Sequence, residues 1–132
     1  MSLQIFGTGI DIISTSRISR FLNKHGDSLT NIFTKDEIQY CLHFKEPSQC
    51  FAARFAAKEA IIKSMGIGLH EVEALSDIEV IHNPIGVPIP KLHGAVEQLR
   101  KEKGIEYILL SISHCEGYAV AHAMAVSRNG EE

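Results

Sequence analysis

The segment from Pro47 to Gly66 constrains this fold more than any other part of the chain. Proline suits a first helical turn because its missing N–H would have no partner there, and glycine is a natural stop. At 3.6 residues per turn, Phe51, Phe55, Ile62 and Met65 fall on one apolar stripe. Lys58 projects into that stripe and Glu59 sits at its edge, within the run Arg54-Phe55-Ala56-Ala57-Lys58-Glu59-Ala60. A stripe that only packs has no use for a lysine, so the charge points to a cleft holding a polyanion and a metal. A plainer alternative stands beside it. Glu59 and Lys63 form an i, i+4 surface pair worth about 0.2–0.5 kcal/mol, and Lys58 snorkels its ammonium to water.

The totals bound what such a cleft can serve. A chain of 132 residues is expected to form one domain, 1–132, that buries roughly two thirds of its unfolded surface. A formal charge of -3 argues against a general nucleic-acid binder. No apolar run approaches the ~20 residues of a membrane span. Met1-Ser2-Leu3-Gln4 lacks the regions of a signal peptide, so a cytoplasmic location is expected. Cys41, Cys50 and Cys115 are odd in number and form no Cys-x-x-Cys, so free thiols are expected rather than a disulfide or a zinc site.

Ile5 to Ile13 reads as a strand whose alternation puts Ile5, Gly7, Gly9, Asp11 and Ile13 on one face. A helix is expected from Thr15 to His25, then a loop to Ile32. Thr34 with Glu37 forms a capping box for a short helix reaching His43. Asp77–His82 and Pro88–Leu92 read as strands joined at Asn83-Pro84-Ile85-Gly86, and 94–103 as a helix. Tyr107–Ser113 and Tyr118–Val126 read as strands joined through Cys115-Glu116-Gly117, and the last six residues as a loose tail. The order implies an α+β fold, a mainly antiparallel sheet with helices packed against it.

Gly7 and Gly9 remove bulk beside Asp11, so another backbone or a ligand can come close. Asp11 is then either a ligand for a hard cation or a cap for the following helix. Mg²⁺ suits oxygen donors and takes one or two carboxylates with phosphate oxygens and water. Asp11 and Glu59 supply the carboxylates, and Lys58, Lys63 and Arg54 the cations for phosphate; together they predict phosphoryl-type transfer. His114, at a strand end, either orients a phosphate, acts in proton transfer, or is structural. Arg17, Arg20 and Lys24 form a basic stripe, which is a solvated face or a dock for an acidic partner.

Taken together, the motifs resemble the short bacterial phosphopantetheinyl transferases, the holo-acyl-carrier-protein synthase family. The likeness rests on Gly7-Thr8-Gly9-Ile10-Asp11-Ile12, on Arg54 through Ala60 with Lys63 and Gly66-Ile67-Gly68, on Asn83-Pro84-Ile85-Gly86-Val87-Pro88, and on Ser111-Ile112-Ser113-His114 with Tyr118-Ala119-Val120-Ala121. It implies transfer of the phosphopantetheine arm of coenzyme A to a serine of apo acyl carrier protein in fatty acid biosynthesis, releasing adenosine 3′,5′-bisphosphate. By position, it makes Asp11 and Glu59 Mg²⁺ ligands. It sets Arg54, Lys58, Lys63, Gly66 and His114 about the coenzyme. Glu59 is implied as base for the carrier serine, with Lys63 protonating the departing phosphate. Arg17, with Arg20 and Lys24, is implied to face the acidic helix of the carrier. The family implies a homotrimer with sites at subunit interfaces, and no nucleic-acid or membrane partner. Phe55 stands where the larger type carries Trp, whereas Cys115-Glu116-Gly117 departs from the family's pattern. Two other readings are a module that binds CoA without chemistry and a structural oligomerisation protein.

Overall fold

The computed structural model describes residues 2–24 and 26–128. The chain runs β1 (Leu3–Ser14), α1 (Thr15–Lys24), a 3₁₀ turn (Gly26–Asn31), α2 (Lys35–Leu42) and α3 (Pro47–Met65). Then follow β2 (Ile78–His82), β3 (Pro88–Leu92), α4 (Gly94–Glu102), β4 (Ile105–Cys115) and β5 (Tyr118–Arg128). One antiparallel sheet has the order β1-β5-β4, and β2 pairs with β3 in a second. The architecture is α+β, with helices packed on antiparallel sheets.

Local chemistry sets the boundaries. Thr34 Oγ1 accepts from the Glu37 amide while Glu37 accepts from the Thr34 amide, closing the capping box. Gly66 ends α3 in the left-handed region at φ 67°, where a side chain would be strained. Asn83 Oδ1 accepts from the amides of Ile85 and Val87, which fixes the turn between β2 and β3.

The core is built by laying α3 across β1 and β5, and small residues make this possible. A Cβ at Gly9 would lie 2.1 Å from the Ala60 carbonyl oxygen, and one at Gly7 would lie 2.4 Å from that of Ser64. Ala119, Ala121, Ala123 and Ala125 on β5 present the same smooth face, all at most 1% exposed. The helix answers with buried Ala52, Ala53, Ala56, Ala57 and Ala60. Of the two options open for the glycines, close approach of another backbone is the one realised.

Several expectations are corrected. The helix Pro47–Met65 is buried nearly all round rather than along one stripe, because α1, α2, β2 and the three long strands β1, β4 and β5 surround it. A register shift between Ile5 and Gly7 turns Ile5 off the helix-facing side and leaves it exposed. The expected loop to Ile32 contains the 3₁₀ turn. Ser127 and Arg128 belong to β5; His25 and the rest of the expected tail lie outside the described residues. Cys41 and Cys50 form a disulfide instead of staying free, because the α2–α3 corner folds back and brings their Cα atoms to 5.4 Å. Cys115 is an exposed free thiol.

Candidate functional site

Asp11 near the end of β1 and Glu59 in α3 meet where the glycines let helix and strand touch. Burial and the Asp11 carboxylate both push the Glu59 carboxyl above its ordinary range, while Lys63 pulls it down. Lys63 reaches across from α3, its Nζ 3.5 Å from Asp11 Oδ1 and donating to the Ile10 carbonyl at 2.9 Å. Its side chain is 53% exposed, so one face of the ammonium remains toward solvent. Two mutually repelling carboxylates beside a lysine form an all-oxygen donor set suited to a hard cation. No group of three or more metal-ligating side chains occurs among the described residues, so outside oxygens must complete any such shell.

Arg54 lies on another side of α3, in the wall of a cavity of about 460 Å³. Lys45, His82, Ile112 and His114 also line it, with Glu46 the single acid among the described lining residues. A cleft of similar size near Thr34 is more acidic, with Asp36, Asp77 and Glu79 against Lys35 and His93. A polyanion favours the first. The structure thus brings His114 together with Arg54, and Asp11 together with Glu59 and Lys63.

Lys58 requires a correction. It is fully buried, and its ammonium donates to Glu37 Oε1 at 2.8 Å, to the Leu75 carbonyl at 3.3 Å and to the Ile78 carbonyl. An ammonium has three protons, and all three are spent inside the protein. Burial pulls the Lys58 pKa down, and Glu37 opposes that pull. Lys58 is the counter-charge of a buried glutamate, not a phosphate ligand, so the lysine in the stripe is explained by α2. Glu37 also accepts from the Val80 amide at 2.9 Å, tying α2 to β2 as well as α3.

Gly66 sits at the C-cap of α3, and the stripe of Arg17, Arg20 and Lys24 is exposed along α1, with Ile18 buried behind it. Reading the sequence missed Glu37, Tyr40, Lys45 and His82. Glu37 carries a signal, since a capping-box glutamate and a helix lysine in an apolar stripe are natural partners. The other three are brought to Arg54 only by the tertiary fold.

A family model described as the 4′-phosphopantetheinyl transferase superfamily matches residues 7–123. The holo-[acyl-carrier-protein] synthase of Moorella thermoacetica is 44% identical over 94% of this chain and 96% of its own length. The acyl carrier protein synthase of Plasmodium yoelii, solved with ADP bound, superposes with a TM-score of 0.86 at 33% identity, covering 98% of this chain and 100% of that one. A holo-(acyl-carrier-protein) synthase from Bacillus anthracis, solved in complex with CoA (3′,5′-ADP), gives a TM-score of 0.77 at 34% identity over 96% of this chain and 100% of that one.

Proposed function

The chain belongs to the 4′-phosphopantetheinyl transferase superfamily, and from that membership we propose that it acts as a single transferase domain over residues 1–132. It moves the phosphopantetheine arm of coenzyme A to a serine of apo acyl carrier protein, releasing adenosine 3′,5′-bisphosphate, in cytoplasmic fatty acid biosynthesis. The observation that carries this reading is the meeting of Asp11 and Glu59 beside Lys63 at the β1–α3 contact.

The carboxylate pair fits Mg²⁺: both donors are oxygen, each repels the other, and a divalent cation relieves that repulsion. When bound, Mg²⁺ supplies charge neutralisation on the pyrophosphate. Glu59, at the edge of the same junction, accepts the proton of the carrier serine. Lys63, half exposed at the same junction, gives a proton to the departing phosphate. Arg54, Lys45 and His114 hold the phosphates at the nucleotide end of CoA.

Arg54 and Glu59 are five residues apart, about 140° around a helix. One copy therefore presents its phosphate pocket and its carboxylates in different directions, and two copies assemble a whole site. The outer face of the three-stranded sheet supports a homotrimer: Ile10 and Ile12 on β1 and Leu109 on β4 are 55–66% exposed there. The exposed Arg17, Arg20 and Lys24 form the carrier dock, where the charges steer an acidic helix. Among the described residues no helix is long and apolar enough to cross a membrane.

The test is release of adenosine 3′,5′-bisphosphate from CoA in the presence of apo carrier protein, with and without EDTA. Wild type should turn over only with Mg²⁺, and Asp11→Asn and Glu59→Gln should fold normally and lose turnover. Near-normal turnover in either variant would overturn the assignment of the carboxylates.

A further inference from the structure

Arg54 is held in a way its proposed task alone does not require. It is 4% exposed, yet it lines the open cavity, and groups from three elements fix its guanidinium. From α2, the Tyr40 ring lies under it, with the guanidinium carbon 4.4 Å from the ring centre. From β2, His82 Nδ1 lies 3.2 Å from Nη2, and the Val80 carbonyl lies 3.5 Å from the same nitrogen. From α3 itself, Nη1 lies 3.3 Å from the sulfur of Cys50, and Glu37, also from α2, places Oε2 3.9 Å from Nε. Tyr40 and His82 are also stacked on each other, their ring centres 5.1 Å apart and their planes 17° off parallel.

Arginine donates and never accepts, so His82 must offer the bare Nδ1 and carry its proton on Nε2. The bond from Nη1 to sulfur is weak, so that edge of the guanidinium is easily given to a phosphate oxygen, while Nη2 stays with His82 and Val80. Among the described residues, Nε is the one buried side-chain nitrogen or oxygen without a hydrogen-bond partner. A buried cation with one edge fixed by imidazole, one face fixed by phenol and another edge weakly held is poised for an anionic ligand.

We infer that His82 and Tyr40 are positioning residues that fix the Arg54 guanidinium so that it presents one edge to a phosphate of the bound nucleotide, which makes them determinants of CoA affinity. The inference rests on the reading of this cavity as the CoA phosphate pocket. Neither residue touches the reacting atoms. The consequence is therefore confined to binding of CoA, and leaves both the chemical step and the carrier dock alone.

The test is calorimetric titration of each variant with CoA and Mg²⁺, together with steady-state kinetics. Asparagine carries an acceptor oxygen close to the place of Nδ1, so His82→Asn should bind CoA within about threefold of wild type. His82→Leu fills the space without an acceptor and should weaken CoA roughly tenfold or more, the range for a lost hydrogen bond to a charged group. Its KM for CoA should rise while kcat and the KM for the carrier stay put. Tyr40→Leu should weaken CoA in the same selective way and Tyr40→Phe should not, which keeps the test decisive if His82→Leu folds poorly. CoA binding equal to wild type in folded His82→Leu or Tyr40→Leu overturns the inference, as does an equal loss in Leu and Asn at position 82. A wild-type protein that does not bind CoA overturns the reading of the cavity itself, and this inference with it.

Discussion

Replacing Lys58 separates a buried counter-charge from a phosphate ligand. Lys58→Met keeps an apolar stem of similar length but strands Glu37, which is 1% exposed and loses its 2.8 Å ionic partner. The Leu75 and Ile78 carbonyls lose a donor at the same time. Breaking a buried pair from one side costs about 3–5 kcal/mol, because a charge is left without compensation. Unfolding entropy of about 2.1 cal/mol/K per residue gives about 0.28 kcal/mol/K for 132 residues. The predicted fall in Tm is therefore about 11–18 °C, read by circular dichroism on heating. Removing the stranded charge should restore part of the loss. Lys58→Met with Glu37→Gln should be less unstable than the two single effects summed, by a coupling near the upper end of about 0.5–3 kcal/mol. A Lys58→Met protein that melts like wild type and loses CoA affinity would refute the reasoning.

Gly9→Ala puts a methyl 2.1 Å from a backbone oxygen of α3, so strand and helix must part. It should cost at least about 1–3 kcal/mol and lower turnover too, since Asp11 and Glu59 sit on the separated elements; unchanged melting and turnover would contradict the packing account. Reducing the Cys41–Cys50 disulfide, which closes a separation of nine residues, should lower stability by about 2.6 kcal/mol in urea titrations with and without dithiothreitol. Equal stability in both would remove its role. Burial, with Arg54 beside it, holds the His82 pKa below 6.5. The folded protein then resists a proton that the unfolded chain accepts, so His82's contribution is fully present above pH 6.5 and is lost as pH falls below it. The urea midpoint of wild type should drop more steeply below pH 6.5 than that of His82→Asn, and parallel slopes would contradict this.

Much of this molecule was legible in the residue order, because its boundaries are written in local chemistry. The Thr34–Glu37 box, Pro47, Gly66 and the Asn83 turn each act within four residues of themselves, and each appears where expected. Gly7 and Gly9 announced a close approach, though only the fold shows that α3 is what approaches. The charge in the apolar stripe was real and its cause misjudged. Lys58 answers Glu37, which is 21 residues away and buried by the same packing. The Cys41–Cys50 disulfide was hidden for a similar reason: a sharp α2–α3 corner, not a cysteine motif, joins them. His82 and Tyr40 lie in β2 and α2 with no spacing that ties them to Arg54, so a linear reading has nothing to find there.

The most direct measurement is intact-mass spectrometry of apo acyl carrier protein incubated with this protein, CoA and Mg²⁺, beside an EDTA control. The expected result is a gain of one phosphopantetheine on the carrier that EDTA abolishes. A carrier whose mass does not change, from a folded sample that binds CoA, would contradict it.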